Sequence, residues 1–442
     1  MDGRATRIEL FKFSSIQMRV FPLAWLAFFV CFFAWFAVAP LMPVIRAELH
    51  LTKDQVANIS IAAVFVTIFV RLLVGPLCDR FGARLTYTWL LALGALPVFA
   101  IGLSHSYGSF VFFRLCIGAI GASFVITQFH TSTMFAANVV GTANATTAGW
   151  GNAGGGATQV LMPLILTTIV SAGVALSWGW RIAMIVPGSL MLVMACLYYR
   201  YAQDTPLGNL RDLAPAKSGK TTRASALMSL QAAANDYRVW MLFLTYGACF
   251  GIELTIHNLA ATYYVDRFGL DVRTAGLYAG SFGLMALFAR SLGGILSDRI
   301  AHYRGLDGRT ALLFLLILME GLGLMLFARM DSAPTALMVM LGFGLFTHLA
   351  CGATYSLTPF INPRALGGVA GIVGAGGNVG AVAAGFLLKG VGSLQQGLFI
   401  LGAAVTASAF CAAAVRFNRE HKHAERQSYV AALSARDAAQ SA

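Results

Sequence analysis

Hydrophobic positions along the chain fall into about twelve runs, near 21–45, 57–78, 85–104, 107–136, 143–172, 180–201, 237–265, 273–298, 309–330, 333–359, 364–391 and 394–417. Each is long enough to cross a bilayer as a helix, which takes roughly 20 apolar residues at about 1.5 Å apiece. One long polar interruption, 203–236, carries Pro206, Gly208, Pro215 and Gly219 and reads as a linker. The expected protein is all-α and membrane-embedded, with a six-helix bundle over 1–202, the linker 203–236, a second six-helix bundle over 237–417 and a polar, basic tail over 418–442. An even number of spans puts both termini on one side. No function attaches to the tail.

Polar positions inside these runs are few, and they repeat. Arg71 interrupts an apolar stretch, and a charge near the middle of a span costs at least ~3 kcal/mol, so such residues usually face a cavity. Arg71-x3-Gly75-x3-Asp79-Arg80 in the first half is matched by Arg290-x3-Gly294-x3-Asp298-Arg299 in the second, with the same spacing. Two arginines at matched depth in duplicated halves imply a two-fold-related anion site. In the fourth run, Arg114 opens a pattern with Gly118 and Gly121, and Phe124, Gln128, Thr131 and Phe135 fall on one helical face. Phe124 is equally well read as plain packing. The fifth run holds Gly149-Trp150-Gly151-Asn152-Ala153-Gly154-Gly155-Gly156, and the eleventh holds Gly374-Ala375-Gly376-Gly377-Asn378-Val379-Gly380. Glycines at up to ~1 kcal/mol each against alanine make poor helices in water, but in a membrane they let backbones approach closely. Packing accounts for the glycines and not for an asparagine at the same place in both halves. In the seventh run Tyr246, Phe250, Glu253 and His257 form one stripe that includes a carboxylate; Glu320, in the ninth, is a second buried acid, for which a structural hydrogen bond is the simpler reading.

Composition agrees with the pattern. Of 442 residues, 58% are hydrophobic and 11% charged, and mean hydropathy is +0.73, values of an integral membrane protein. The formal charge of +13 is concentrated before the first run, after the second, between the sixth and seventh, after the eighth and in the tail. That is the positive-inside bias, with both termini cytoplasmic; it orients the protein in the lipid bilayer and does not indicate nucleic-acid binding. The first run is too long for a signal-peptide core and reads as a retained helix. The seven cysteines lie singly, so neither a disulfide frame nor a metal site is indicated. Lys217-Ser-Gly-Lys-Thr resembles the end of a phosphate-binding loop, but Ala214 stands where its first glycine is required and no strand precedes it. With no nucleophile, metal cluster or nucleotide site, no enzyme and no cofactor are expected.

The stretch Gly75-Pro-Leu-Cys-Asp79-Arg80-Phe-Gly82-Ala-Arg84, with its second copy at 294–299, resembles the loop signature of the major facilitator superfamily. That resemblance implies two six-helix bundles with substrate bound between them near the midplane, Gly75 allowing close packing and Asp79 and Arg80 latching the cytoplasmic ends as part of a gating motif with Gly294, Asp298 and Arg299. The two glycine-rich stretches resemble the paired nitrate-signature segments of that superfamily's nitrate/nitrite porter family, and 128–163 and 249–268 are similar to its high-affinity uptake members. Carried onto matching positions, the resemblance implies that Arg71 and Arg290 clamp one nitrate, bordered by Gly151, Asn152, Gly377 and Asn378, with Phe124, Tyr246 and Phe250 around it. Tyr355 stands where relatives often show phenylalanine, so it adds a hydrogen bond or merely conserves bulk. Nitrate is flat, monovalent and weakly basic, and guanidinium is planar, permanently charged and weakly hydrated. Two such groups exceed one anion's charge, so the pocket is expected to be net positive when occupied and self-repelling when empty. Glu253 and His257 are the candidate proton-coupling groups. Moving one negative charge inward against 100 mV costs ~2.3 kcal/mol, so uptake needs more than one proton per nitrate if the potential is to help. The favoured reading is a nitrate/proton symporter in the cell membrane, working as a monomer; exchange for nitrite on the same site and a non-transporting nitrate sensor are the alternatives.

Overall fold

In the computed structural model, the described residues are all but 1–3, 6, 10–12, 136–139, 211, 213–229, 363–364, 424–425 and 428–442, with the side chains of 72, 75–76, 79–80, 140–141, 298, 302, 359, 366–367 and 370 also outside the description. The described residues are mainly helical, and among them twelve helices are long and apolar enough to cross a membrane. They are α1 (Ile16–Glu48), α2 (Lys53–Arg71), α3 (Phe81–Leu103), α4 (Tyr107–Met134), α5 (Thr142–Ser171), α6 (Leu176–Tyr201), α7 (Tyr237–Phe268), α8 (Val272–Ala301), α9 (Tyr303–Phe327), α10 (Ala333–Leu357), α11 (Gly371–Gly390) and α12 (Leu394–Ala414).

Several of the helices begin on a side-chain cap that satisfies a backbone N–H the helix itself cannot. Thr52 and Gln55 form a capping box at α2, as Ser106 and Ser109 do at α4, while Asp236, Asp271, Ser332 and Ser393 cap α7, α8, α10 and α12. At the start of α3 the chain turns at Gly82, φ +83°, and at the start of α9 at Gly305, φ +55°, left-handed values that glycine adopts without a Cβ clash. A side chain at Gly82 would also meet the Asp204 carboxylate, which accepts the Arg84 N–H at 2.8 Å.

Backbones touch where the glycine-rich helices lie. A Cβ at Gly154 would collide with the Phe29 carbonyl of α1, one at Gly156 with the backbone of Gly283 and Leu284 in α8, and one at Gly376 or Gly380 with the backbone of α7. α5 therefore packs on α1 in its own half and on α8 in the other, and α11 packs on α7 in its own half and on α2 across. These reciprocal contacts make the repeat seen in the sequence a spatial one. Outward faces carry large apolar side chains such as Leu93, Phe112, Phe386 and Phe410, suited to lipid.

Two boundaries differ from the hydropathy runs. The fourth helix ends at Met134, and Phe135 is extended, with φ −114° and ψ 142°, packing on Phe21 at 5.4 Å. Phe135 thus belongs to a cluster at the end of α1 and leaves the face that carries Phe124. Over its described part the tail carries a short helix, residues 419–423, and Lys422 reaches Asp307 at 2.6 Å, near the turn at Gly305. The Lys217–Thr221 segment lies outside the described residues.

Candidate functional site

Arg71 is 8% exposed, and its guanidinium is held by carbonyl oxygens: Nη1 donates to Gly374 O at 3.2 Å, and Nε and Nη2 donate to Gly121 O at 3.4 and 3.3 Å. Gly121 belongs to a 3-10 turn, Ala119–Ala122, whose weaker internal hydrogen bonding leaves its carbonyl open to a further donor. Glycine at 118 lets α4 lie against α2, since a Cβ there would come within 2.9 Å of the Ala63 carbonyl. Arg114 takes no part in the clamp; its guanidinium donates to the Trp35 carbonyl and to Asn258 Oδ1 across the two halves.

Arg290 is 3% exposed and is held differently. Its Nη2 donates to Glu253 Oε2 in an ion pair between two fully enclosed side chains. Glu253 also lies 3.5 Å from His348 Nδ1 and accepts from Cys351 Sγ at 3.6 Å. Breaking one partner of such a buried pair typically costs 3–5 kcal/mol, because the other charge is stranded.

One ring joins the two arginines. The Arg71 Cζ lies 5.8 Å and the Arg290 Cζ 5.4 Å from the centre of Phe250. Arg71 also lies 5.4 Å from the centre of Phe124. Tyr246 stacks on Phe250 at 5.2 Å, and Tyr355 meets Tyr246 edge-on at 5.0 Å and Phe124 at 6.0 Å. The Tyr355 hydroxyl makes no protein hydrogen bond, so toward the protein the residue supplies bulk. Gly377 is glycine because a Cβ there would overlap the Phe250 ring; Gly151 stands in the same relation to Phe28. Asn152 and Asn378 are fully buried, and neither amide has a protein partner through nitrogen or oxygen. Buried amides are ordinarily bonded, so four unsatisfied polar atoms on the two glycine-rich helices fit a site that receives a polar guest.

The charges sum differently from the expectation. Two guanidiniums and one ionised carboxylate leave a single net positive charge, which one monovalent anion neutralises; the pair is not simply self-repelling. Both ring nitrogens of His257 lack hydrogen-bond partners, and the ring is packed 4.9 Å from Phe36 and 5.9 Å from Phe282. Gly155 and Gly283 make room for it. Glu320 is fully buried beside Thr347, on α9. The side chains of Gly75, Asp79, Arg80 and Asp298 lie outside the described residues; Arg299 is exposed, and a Cβ on Gly294 would meet open space.

Sequence reasoning missed Phe28, His348 and the carbonyls of Gly121 and Gly374. Phe28 is paired with Phe250 by the structure, in which Gly151 faces the one ring as Gly377 faces the other. His348 carried no sequence signal.

Twelve spans in reciprocally packed halves, with a charged centre between them, define a membrane transporter. The sequence model described as the Major Facilitator Superfamily matches residues 24–361. The chain is 41% identical to the "High affinity nitrate transporter 2.5" of Arabidopsis thaliana over 86% of this chain and 76% of that one, and 40% identical to the "High-affinity nitrate transporter 2.3" of Oryza sativa subsp. japonica over 86% and 74%. It is 28% identical to the "Nitrate/nitrite transporter NrtP" of Nostoc punctiforme over 85% and 87%. Among solved structures, a bacterial homolog of the human lysosomal transporter Spinster matches with a TM-score of 0.69 at 14% identity, over 92% of this chain and 100% of that one, and a D-xylose–proton symporter with 0.68 at 16% identity, over 92% and 99%. The chain belongs to the Major Facilitator Superfamily and, within it, to the nitrate/nitrite porter family. It is therefore a multi-pass membrane protein of a transporter family, and not an enzyme.

Proposed function

We propose that this protein imports nitrate across the cell membrane by nitrate/proton symport, the two six-helix halves (1–202 and 237–417, joined by 203–236) alternating about a site between Arg71 and Arg290. The observation that carries this reading is the meeting of the two guanidiniums over Phe250, one held only by carbonyls and the other by a carboxylate. Planar forked donors suit a planar anion, aromatic walls suit delocalised charge, and the relatives named as nitrate transporters give the anion its identity. Glu253 supplies the proton coupling: nitrate on Arg290 competes with the carboxylate, so protonating Glu253 and binding nitrate favour each other, and linkage makes the effect reciprocal. Alternation is supported by contacts between the halves that gather on the face away from the linker, where Arg46 pairs with both oxygens of Asp266 at 2.6 Å and Lys389 reaches Asn58 at 3.0 Å. Both termini and the linker then face the cytoplasm.

The test is nitrate uptake by the full chain in proteoliposomes, with pH gradient and membrane potential set independently. Arg71→Lys and Arg290→Lys are expected to weaken nitrate by at least about tenfold while insertion is retained, because a point charge cannot reproduce the fork. Near-parental affinity in Arg71→Lys would remove the two-arginine site. A second reading, exchange of nitrate for nitrite, is favoured by the similarity to a nitrate/nitrite transporter; it expects uptake indifferent to both gradients and dependent on internal nitrite.

A further inference from the structure

Behind Arg290 sits a titratable side chain that the clamp itself does not require. His348, on α10, is fully buried, and its Nε2 lies 3.0 Å from the carbonyl oxygen of Phe282. A carbonyl only accepts, so Nε2 carries a hydrogen. The other nitrogen, Nδ1, lies 3.5 Å from Glu253 Oε2. With Nδ1 bare, the Glu253 carboxylate is held by Arg290 through that same oxygen. A proton on either partner sets a hydrogen bond between Glu253 and His348. Other groups bear on the pair from each neighbouring helix: Arg290 from α8, Cys351 from α10, His257 from α7 itself, and Glu320 from α9, beside Thr347.

We propose that Glu253 and His348 together form a two-position proton site coupled to the anion site through Arg290. The inference deepens the symport reading and rests on it. As nitrate takes the donors of Arg290, Glu253 loses its ion-pair partner, and a proton on the carboxyl replaces that partner. A second proton on Nδ1 makes the imidazole a cation; it leaves from the same nitrogen when nitrate departs and Glu253 returns to Arg290. The second position matters for direction. One proton per nitrate only cancels the charge moved, whereas two let an inside-negative potential pull the cargo in. Glu253 alone offers one position.

The experiment uses the full chain in proteoliposomes at equal pH on both faces, with about 100 mV imposed inside-negative. With one net positive charge per cycle, the unaltered protein is expected to accumulate nitrate up to about fiftyfold. His348→Gln keeps a donor for the Phe282 carbonyl and removes the titration. It is expected to lose accumulation under potential alone and still to accumulate nitrate when the outside is made acid. Potential-driven accumulation in His348→Gln equal to that of the unaltered protein overturns the proposal while leaving symport standing. An unaltered protein that accumulates nitrate under neither gradient overturns symport, and the proposal with it. Should His348→Gln fail to insert, proton uptake on adding nitrate to the unaltered protein in detergent decides the matter: more than one proton per nitrate supports the pair, and one or fewer overturns it.

Discussion

At Arg290 a guanidinium has two claimants, the Glu253 carboxylate it already holds and the anion it is proposed to receive. The carboxylate competes directly for the donors of Arg290. Replacing it with an amide removes both the titration and the competitor. Glu253→Gln is therefore expected to bind nitrate about tenfold more tightly at neutral pH, in line with about 1.5 kcal/mol for a charge-assisted hydrogen bond, and to lose most of the acid-favoured tightening of the unaltered protein. Transport is expected to slow, because release is no longer assisted. Nitrate binding measured at pH 6 and pH 8 checks this; an unaltered pH dependence in the variant would move the proton path away from Glu253.

Between residue and bundle, the glycine-rich helices set how closely the halves approach. Gly155 faces the His257 ring, with a Cβ position 3.0 Å from Cε1, and Gly377 faces the ring shared by both arginines. Leucine at either place is expected to force its helix off its neighbour, so Gly155→Leu and Gly377→Leu should reach the membrane and lose nearly all transport. Insertion with full transport in both would mean that these stretches are loosely packed. The helices were legible in the sequence because an apolar run of bilayer length records its own solvent, and the arginines because a charge inside such a run has few alternatives. The end of α4 was misread since Phe135 is as apolar and as buried as a helical residue would be, yet packs from an extended backbone. Gly121 and Gly374 went unseen as ligands of Arg71 because every residue carries a carbonyl, and only tertiary contact selects which is used.

Over the whole molecule, the pair most exposed to a test of alternation is Arg46 with Asp266, which ties the end of α1 to the end of α7 on the face away from the linker. With side chains 28% and 40% accessible, the pair contributes on the order of 1 kcal/mol or less. Arg46→Ala or Asp266→Ala is accordingly expected to raise the fraction open on that face by up to about fivefold, read as spin-label distances across the two helix ends, and the charge swap Arg46→Asp with Asp266→Arg to restore it. Unshifted distances in both single variants would show that the bridge holds nothing closed. The manner in which Arg71 is held has a last consequence. Carbonyls cannot titrate, so the groups that hold Arg71 carry no charge that changes with pH. The opposite arm includes a carboxylate, and when Phe28, which faces Gly151, is set against Phe250, which faces Gly377, the place of Glu253 is taken in the first half by Cys31. On the symport proposed above, the repeat thus keeps its geometry in both copies and its switch in one, and the proton's energy enters through the second half.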